Sequence, residues 1–283
     1  MLSLALGLAA ATCWGLHDFC VRVVSLRSGP LAVFLAVLGS GALLLAPVAL
    51  FVGGWSQVTA TGAGYAALSG LAYVLGGIGL YRAFAIGPVR LVAPITGSFP
   101  VLSVGWAAVQ GQPVSIGQWI AVLAVLAGVG LVASSGKGHA DEAADEGPGK
   151  AILWAVAASV GFALTFALGH LAADHAPDLH VVMLARVVTT LGMIGILIIR
   201  RRPAALHRAH LPLIAAMGGL DVLALTCVIA AGGTAHPEYA SVASSVFGVI
   251  TIILCWRFLS ERMSVVQWAG VALVFAAIGW LAR

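Results

Sequence analysis

Long runs of apolar residues, separated by short polar breaks, follow one another along the whole chain. A helix needs about 20 mainly apolar residues to span a bilayer, with every backbone polar group bonded internally. Segments of that length are found at 3–23, 31–53, 63–85, 88–110, 115–134, 151–172, 179–199, 210–232, 238–259 and 264–282. The pattern predicts an all-α polytopic membrane protein with ten transmembrane helices.

The two halves of the chain repeat each other at an offset of 149 residues. QPVSIGQWIAVLAVLAGVGLVA (112–133) aligns with ERMSVVQWAGVALVFAAIGWLA (261–282), and Pro88 aligns with Pro237 without gaps. Five spans per half is an odd number, so the second repeat must enter the membrane inverted. Inverted repeats are typical of secondary transporters, which alternate access to a site between the halves. The predicted organisation is a first repeat (1–134), a polar linker (135–150) and a second repeat (151–283).

Composition supports a lipid environment. The chain is 61% hydrophobic and 8% charged, against about 25% charged residues in soluble domains. Outside the apolar runs no segment is long enough for a soluble catalytic domain, and no HExxH motif occurs. We therefore expect no catalytic residue, metal site or cofactor. The four cysteines lack CxxC spacing and are interpreted as packing residues: Cys13, Cys20, Cys227 and Cys255.

Loop charge predicts the orientation. Arg283 lies on one side of the ten-span arrangement, and twelve Lys and Arg residues lie near span ends and in loops on the other: Arg22, Arg27, Arg82, Arg90, Lys137, Lys150, Arg200, Arg201, Arg202, Arg208, Arg257 and Arg262. Because positive charge accumulates on the cytoplasmic side, both termini are predicted to be extracytoplasmic, in a bacterial-type plasma (inner) membrane. The N-terminus lacks the basic region of a signal peptide and is interpreted as a retained first span.

The repeats and their endings resemble the EamA-type transporters of the drug/metabolite transporter superfamily, over essentially the whole chain. LSERMSVVQWAGVALVFAAIGWLA (259–282) is close to that family's second-repeat ending, and WG at 14–15 resembles the start of its first helix. Arg186 lies where the family often has a helix-organising Arg. The HD pair at 17–18 is not part of the general pattern. The resemblance implies transport of small metabolites such as amino acids, nucleobases, amines or drugs, often outward.

His17 and Asp18 are polar residues in the first apolar run. An ionised Asp near a helix centre costs about 2.5–3.5 kcal/mol on insertion scales, so it should face the bundle interior, pair or be neutral. Helical spacing places Asp18 and Arg22 on one stripe with small residues that allow close helix packing: Gly7, Ala11 and Gly15. Two alternatives remain open: an Asp18–Arg22 ion pair, or a substrate or proton site shared with His17.

Asp221 lies near the middle of the eighth predicted span, with no basic residue within one helical turn. Burial favours its neutral form unless a partner comes from another helix, and Arg186 is the candidate. A carboxylate that binds a proton or an amine is the alternative, and on it we predict that Asp221→Asn abolishes or uncouples transport and leaves expression largely intact. If Asp221 is instead half of a buried ion pair, the substitution should destabilise the fold.

The fourth and ninth predicted spans occupy corresponding places in the repeats, and both have sequences that interrupt helices or supply hydroxyl groups. Such positions are the best sequence indication of a transporter site, although a proline kink and close packing would also explain them. With aromatic residues of the first and third spans, they complete the predicted substrate-binding set: Trp14, His17, Asp18, Tyr73, Tyr81, Pro94, Ser98, Ser241, Ser244 and Ser245.

The resulting hypothesis is a secondary transporter, working as an exporter, of a small amphipathic metabolite such as an amino acid or amine. Asp18 and Asp221 are the candidate proton-coupling residues, and facilitated transport is the alternative. Two rival functions are an intramembrane enzyme that uses His17 and Asp18, and a membrane interaction protein that does not transport. The expected partners are a small-molecule substrate and the lipid bilayer, with no nucleic acid. The expected assembly is a monomer or a weak homodimer.

Overall fold

The structure is a computed structural model. It describes residues 2–25, 28–99, 101–102, 105, 114–134, 147–201, 206–234, 240, 243–244, 246–260 and 263–281. Ser241 and Ser245 of the predicted site therefore lie outside the described residues.

Ten α-helices account for most of the described chain. They are α1 (Leu2–Ser25), α2 (Pro30–Val52), α3 (Ala60–Ile86), α4 (Val89–Thr96), α5 (Ile116–Ser134), α6 (Gly147–Ala173), α7 (Asp178–Ile199), α8 (Leu211–Ala231), α9 (Phe247–Phe258) and α10 (Val265–Leu281). Short 3-10 turns occupy Trp55–Gln57 and Arg208–His210. Six helices are long and apolar enough to cross a membrane by themselves, and three shorter ones are also apolar. The predicted all-α, ten-helix fold is confirmed.

The fourth and ninth predicted spans are both interrupted. Helix α4 ends at Thr96 and a turn follows at 97–98, before helical backbone resumes at Phe99. In the second half a turn at Val246 precedes α9. Gly97 and Val246 are 149 residues apart, so the breaks fall at equivalent places in the two repeats. Side chains near these breaks can therefore enter the bundle from both halves.

The helices of the two halves pack against each other in a twofold pattern. Helix α1 contacts α8 and α9, while its counterpart α6 contacts α3 and α4. Helix α2 contacts α8, α7 contacts α3, and α5 pairs with α10. Each contact has its mirror under the exchange of repeats, as expected for two inverted five-helix units. The interior between the halves is consequently lined by both.

The small-residue stripe of α1 is a packing surface. A Cβ atom added at Gly7 would lie 2.6 Å from the carbonyl oxygen of Ala240, and one added at Gly15 would lie 2.6 Å from Cβ of Ile250. Ala11 is also buried. Because this face of α1 lies against the ninth predicted span, the residues that follow Gly15 are held at the interface between the halves.

Candidate functional site

A small cavity lies between the two repeats, at the level where both carry polar side chains. Measured as the space open to the centre of a water molecule, its volume is about 20 Å³, which is room for about one water. Its lining residues come from both halves: Trp14, His17, Asp18, Tyr73, Leu80, Phe99, Phe162, Phe166, Asp221 and Phe247.

Asp221 is held by three partners on three other helices. Its Oδ2 lies 2.6 Å from Nη2 of Arg186 in α7, which forms a buried ion pair. Its Oδ1 accepts hydrogen bonds from the Tyr73 hydroxyl at 2.5 Å and from Trp14 Nε1 at 3.2 Å. Arg186 also lies over the Tyr73 ring, 5.6 Å from its centroid. Asp221 is therefore paired with Arg186 from another helix, which is one of the two alternatives that the sequence left open.

Asp18 has a simpler environment. Its Oδ1 lies 2.9 Å from Nδ1 of the neighbouring His17. The other ring nitrogen of His17 lies 3.1 Å from the Tyr81 hydroxyl of α3. The Tyr81–His17–Asp18 chain is buried throughout. In a neutral His17 the Nδ1–H donates to Asp18, and Nε2 accepts from Tyr81; protonation makes both nitrogens donors, and the tyrosine oxygen can then accept.

Arg22 does not take the place of His17 beside Asp18. Its Nη1 donates a hydrogen bond to the Phe84 carbonyl oxygen of α3, at 2.7 Å. Among the described residues, Asp18 has no ion pair with Arg22, so the first alternative for this stretch, the Asp18–Arg22 ion pair, is not the arrangement found. Asp18 faces the cavity and Arg22 ties the end of α1 to α3.

Charge in the site is unevenly balanced. Asp221 forms an ion pair with Arg186, whereas the described side chain that contacts the Asp18 carboxylate is the imidazole of His17. The cavity wall therefore combines one carboxylate paired with a guanidinium and one hydrogen-bonded to an imidazole.

Apart from Leu80, the rest of the wall is aromatic. Phe166 packs against Trp14 with 5.6 Å between ring centroids and against Phe99 with 5.0 Å, and Phe247 closes the other side of Trp14 at 6.2 Å. Sequence reasoning missed all four phenylalanines of the cavity wall, which are the three just named and Phe162. A signal was present: Phe166 is the repeat equivalent of His17, and Phe162 lies one turn before it on α6.

The remaining predicted residues lie away from the cavity wall. Tyr81 is buried, and its hydroxyl lies 3.1 Å from Nε2 of His17. Pro94 is buried within α4, and the Ser98 hydroxyl donates to the Ile95 carbonyl oxygen at 2.7 Å. Ser244 is fully buried. Arg186 is 2% exposed and reaches the site through Asp221. Within the described residues, no cluster of three or more His, Cys, Asp or Glu could hold a metal ion.

Comparisons with known proteins agree with this architecture. One solved crystal structure aligns over 98% of this chain and 95% of its own, with a TM-score of 0.69 and 14% identity, which shows a shared fold. No curated protein sequence matches the chain. The EamA-like transporter family matches the chain twice, over residues 1–134 and 149–283. This double match covers both repeats, and the chain is therefore a multi-pass membrane protein of the EamA-like transporter family, within the drug/metabolite transporter superfamily.

Proposed function

We propose that this protein is a secondary transporter that exports a small amphipathic metabolite, an amino acid or amine, by alternating access around the cavity between its repeats. The observation that carries the proposal is the cavity itself. It brings Asp18, Asp221 and a largely aromatic wall together at the interface of two inverted halves. Movement of one repeat against the other around such an interface exposes a site to each side in turn.

The wall chemistry supports an amphipathic substrate. Aromatic faces bury an apolar body and attract a cation held over a ring. Asp18 supplies a carboxylate that can accept from an ammonium group. At about 20 Å³ the cavity has room for about one water and is too small for a metabolite. The structure thus corresponds to a closed arrangement, and a substrate would enter when the repeats separate.

Proton coupling is assigned to Asp18 and His17. A proton on His17 is held between the Asp18 carboxylate and the Tyr81 hydroxyl, so the chain can keep the proton while the substrate site is empty. An ammonium group that reaches Asp18 would compete for the same carboxylate and favour loss of that proton. Asp221, which was the second coupling candidate, acts here mainly to hold Trp14 and Tyr73 in place.

The deciding experiment is flux in proteoliposomes. Candidate amines and amino acids are first selected because a ligand that binds only the folded protein raises its melting temperature. In vesicles that contain the protein, the selected compounds should then cross the membrane. Their transport should produce a measurable pH change inside the vesicle. Thr12→Ala, which removes an exposed hydroxyl of α1 bonded to the Leu8 carbonyl oxygen, serves as the matched control and should transport normally. Stabilisation without flux, or chemical conversion of the compound, would point to the interaction-protein or enzyme alternatives.

The proposed setting is a bacterial-type inner membrane with both termini extracytoplasmic. The asymmetry of Lys and Arg between the two sides supports it. Paired reporter fusions at the C-terminus test it: a reporter active only outside the cytoplasm should work there, and a cytoplasmic reporter should not. The reverse pattern would invert the orientation and, with it, the direction of export.

A further inference from the structure

We infer that His180 is a second proton-binding site, outside the cavity, and that its protonation opens the closure on one face of the protein. This closure joins the α2–α3 connection of the first repeat (Gly53–Thr59) to the α6–α7 connection of the second (Asp174–Pro177) and the first turn of α7. It differs from the Asp18 and His17 site in place, partners and consequence. It does not depend on which substrate is carried.

Direct contacts hold this closure together. Both the backbone N–H and the hydroxyl of Thr59 donate to the His175 carbonyl oxygen, at 3.2 and 3.1 Å. The His175 ring stacks on Tyr65 at 6.4 Å between centroids. A Cβ added at Gly62 would lie 2.8 Å from the same His175 oxygen. The two repeats therefore meet closely here, and separating them on this face requires these contacts to break.

His180 lies in the middle of the contact. It is 1% exposed, and neither ring nitrogen has a hydrogen-bond partner among the described residues. The edge of its ring packs on Trp55, with 4.4 Å between centroids and an interplanar angle of 86°. Trp55 is fixed in turn by its Nε1 bond to the Ala49 carbonyl oxygen at 3.1 Å. Gly53 and Gly54 have φ of 70° and 88°, which allow the turn that carries Trp55 onto the histidine.

A protonated His180 does not fit this pocket. Protonation would place a charge and a second N–H where none of the described residues offers an acceptor, and a buried charge without a partner is costly. The titratable side chains of this layer are His170, Asp174, His175, Asp178 and Tyr65. Of these, Asp178 interacts electrostatically with His170, and the His175 ring stacks on Tyr65. None is hydrogen-bonded to the His180 ring, so a proton is accommodated only when the closure opens and water reaches the imidazole.

The opposite face provides an internal comparison. There Ser28 of the α1–α2 connection meets the connection that precedes α8. Its hydroxyl lies 3.4 Å from Nδ1 of His210 and accepts from the His207 N–H at 3.5 Å. His210 is half-buried and has a partner for one ring nitrogen, whereas His180 is buried and has none among the described residues. The two closures lie at equivalent positions of the two inverted repeats. In the described part of the chain, the buried imidazole without a hydrogen-bond partner is His180, in the first of them.

The size of the effect follows from ordinary histidine chemistry. A solvent-exposed histidine titrates near pH 6.5. A proton accepted only by the open form changes the closed-to-open ratio about tenfold between pH 7.5 and pH 5.5. Acid on this face therefore favours opening, and neutral or alkaline conditions favour the closed arrangement.

Distances between spin labels test the inference without any substrate. Labels are placed at Gln57→Cys and Ala173→Cys, one on each side of the closure, in a background without the native cysteines. The protein is reconstituted in lipid nanodiscs. We expect a longer-distance population that grows about tenfold relative to the closed one between pH 7.5 and pH 5.5. In His180→Phe, which keeps an aromatic ring against Trp55, the distances should be the same at both pH values.

The control is His175→Gln, in the same layer, which should keep the pH response of the parent. A parent protein without a pH response would overturn the inference, as would a response that survives in His180→Phe. If His180→Phe fails to fold, His180→Gln replaces it with the same expectation. These distances report the closure alone, so a failure of the transport proposal would leave them informative, and their failure would leave the transport proposal intact.

Discussion

Asp18 and Asp221 carry the same functional group, are equally buried at 2% exposure and line the same cavity, yet their surroundings differ. Asp221 is bound by Arg186, Tyr73 and Trp14, each from a different helix. In the described part of the chain Asp18 has one side-chain partner, His17, which precedes it on its own helix. Burial alone therefore does not define what a membrane-embedded carboxylate does. The number and origin of its partners distinguish a carboxylate that joins several helices from one that is bonded within its own helix.

This difference also separates stability from function. Partners on other helices make Asp221 part of the packing between α1, α3, α7 and α8, so its removal should be felt by the whole fold. The partner of Asp18 comes from the same helix, so its removal should change chemistry in the cavity and leave helix packing largely intact. The three predictions that follow test this contrast, beginning with the largest expected effect.

Asp221→Asn should lower the free energy of unfolding by about 3–5 kcal/mol, because it leaves the Arg186 charge buried without its counter-ion. Thermal or denaturant unfolding in detergent measures the loss. The double variant Asp221→Asn with Arg186→Gln removes both charges and should recover part of the stability. If Asp221→Asn keeps full stability and abolishes only transport, Asp221 is a coupling group and the contrast with Asp18 disappears.

Asp18→Asn should preserve stability and alter transport. We expect the apparent affinity for the substrate to fall on the order of tenfold, equivalent to about 1.4 kcal/mol, and the dependence of transport on pH to flatten, because the proton on His17 loses its carboxylate acceptor. Flux at several pH values measures both changes. Thr12→Ala, on the same helix and assayed beside it, controls for expression and reconstitution. An unchanged affinity and pH profile would remove Asp18 from the mechanism.

The two tyrosines of α3 provide the smallest and best matched test. Tyr73→Phe removes a hydrogen bond to the ionised Asp221 and should cost about 1.5–3 kcal/mol of stability, whereas Tyr81→Phe removes a bond to His17 and should cost about 0.5–1.5 kcal/mol. Both substitutions delete one hydroxyl from one helix. Unfolding measured side by side gives the order, and the reverse order would show that the Asp18 chain is the stronger structural element.

Much of the fold could be predicted because lipid imposes a simple rule. Apolar runs of about 20 residues predicted the membrane spans, and the SxxQW repeat predicted two related halves. The breaks in the fourth and ninth spans were signalled by residues such as Pro94 and Gly97 in one half and by serines in the other. Asp18 was predicted to be buried because helical spacing places it on the same face as Gly15. Such spacing depends only on residues that are close in the sequence.

The partners of the site residues could not be chosen in the same way. Asp18 had Arg22 one turn away, but in the structure the nearer His17 contacts it and Arg22 bonds to the Phe84 carbonyl. Asp221 is separated from Trp14 by 207 residues and from Tyr73 by 148. Nothing in the local sequence specifies such contacts, and the phenylalanines of the cavity have no polar atom that would distinguish them from packing residues.

The sequence by itself determined that this chain is a membrane protein of two inverted five-helix repeats, because hydrophobic length and internal repetition are local and additive properties. Only the tertiary structure decided that Asp221 is bound by Arg186 while Asp18 contacts His17, and that the His180 ring is enclosed with no hydrogen-bond partner among the described residues. Those outcomes depend on how helices rotate and approach one another. That geometry is set by the packing of many side chains at once, through contacts such as Gly7 against Ala240 and Gly15 against Ile250.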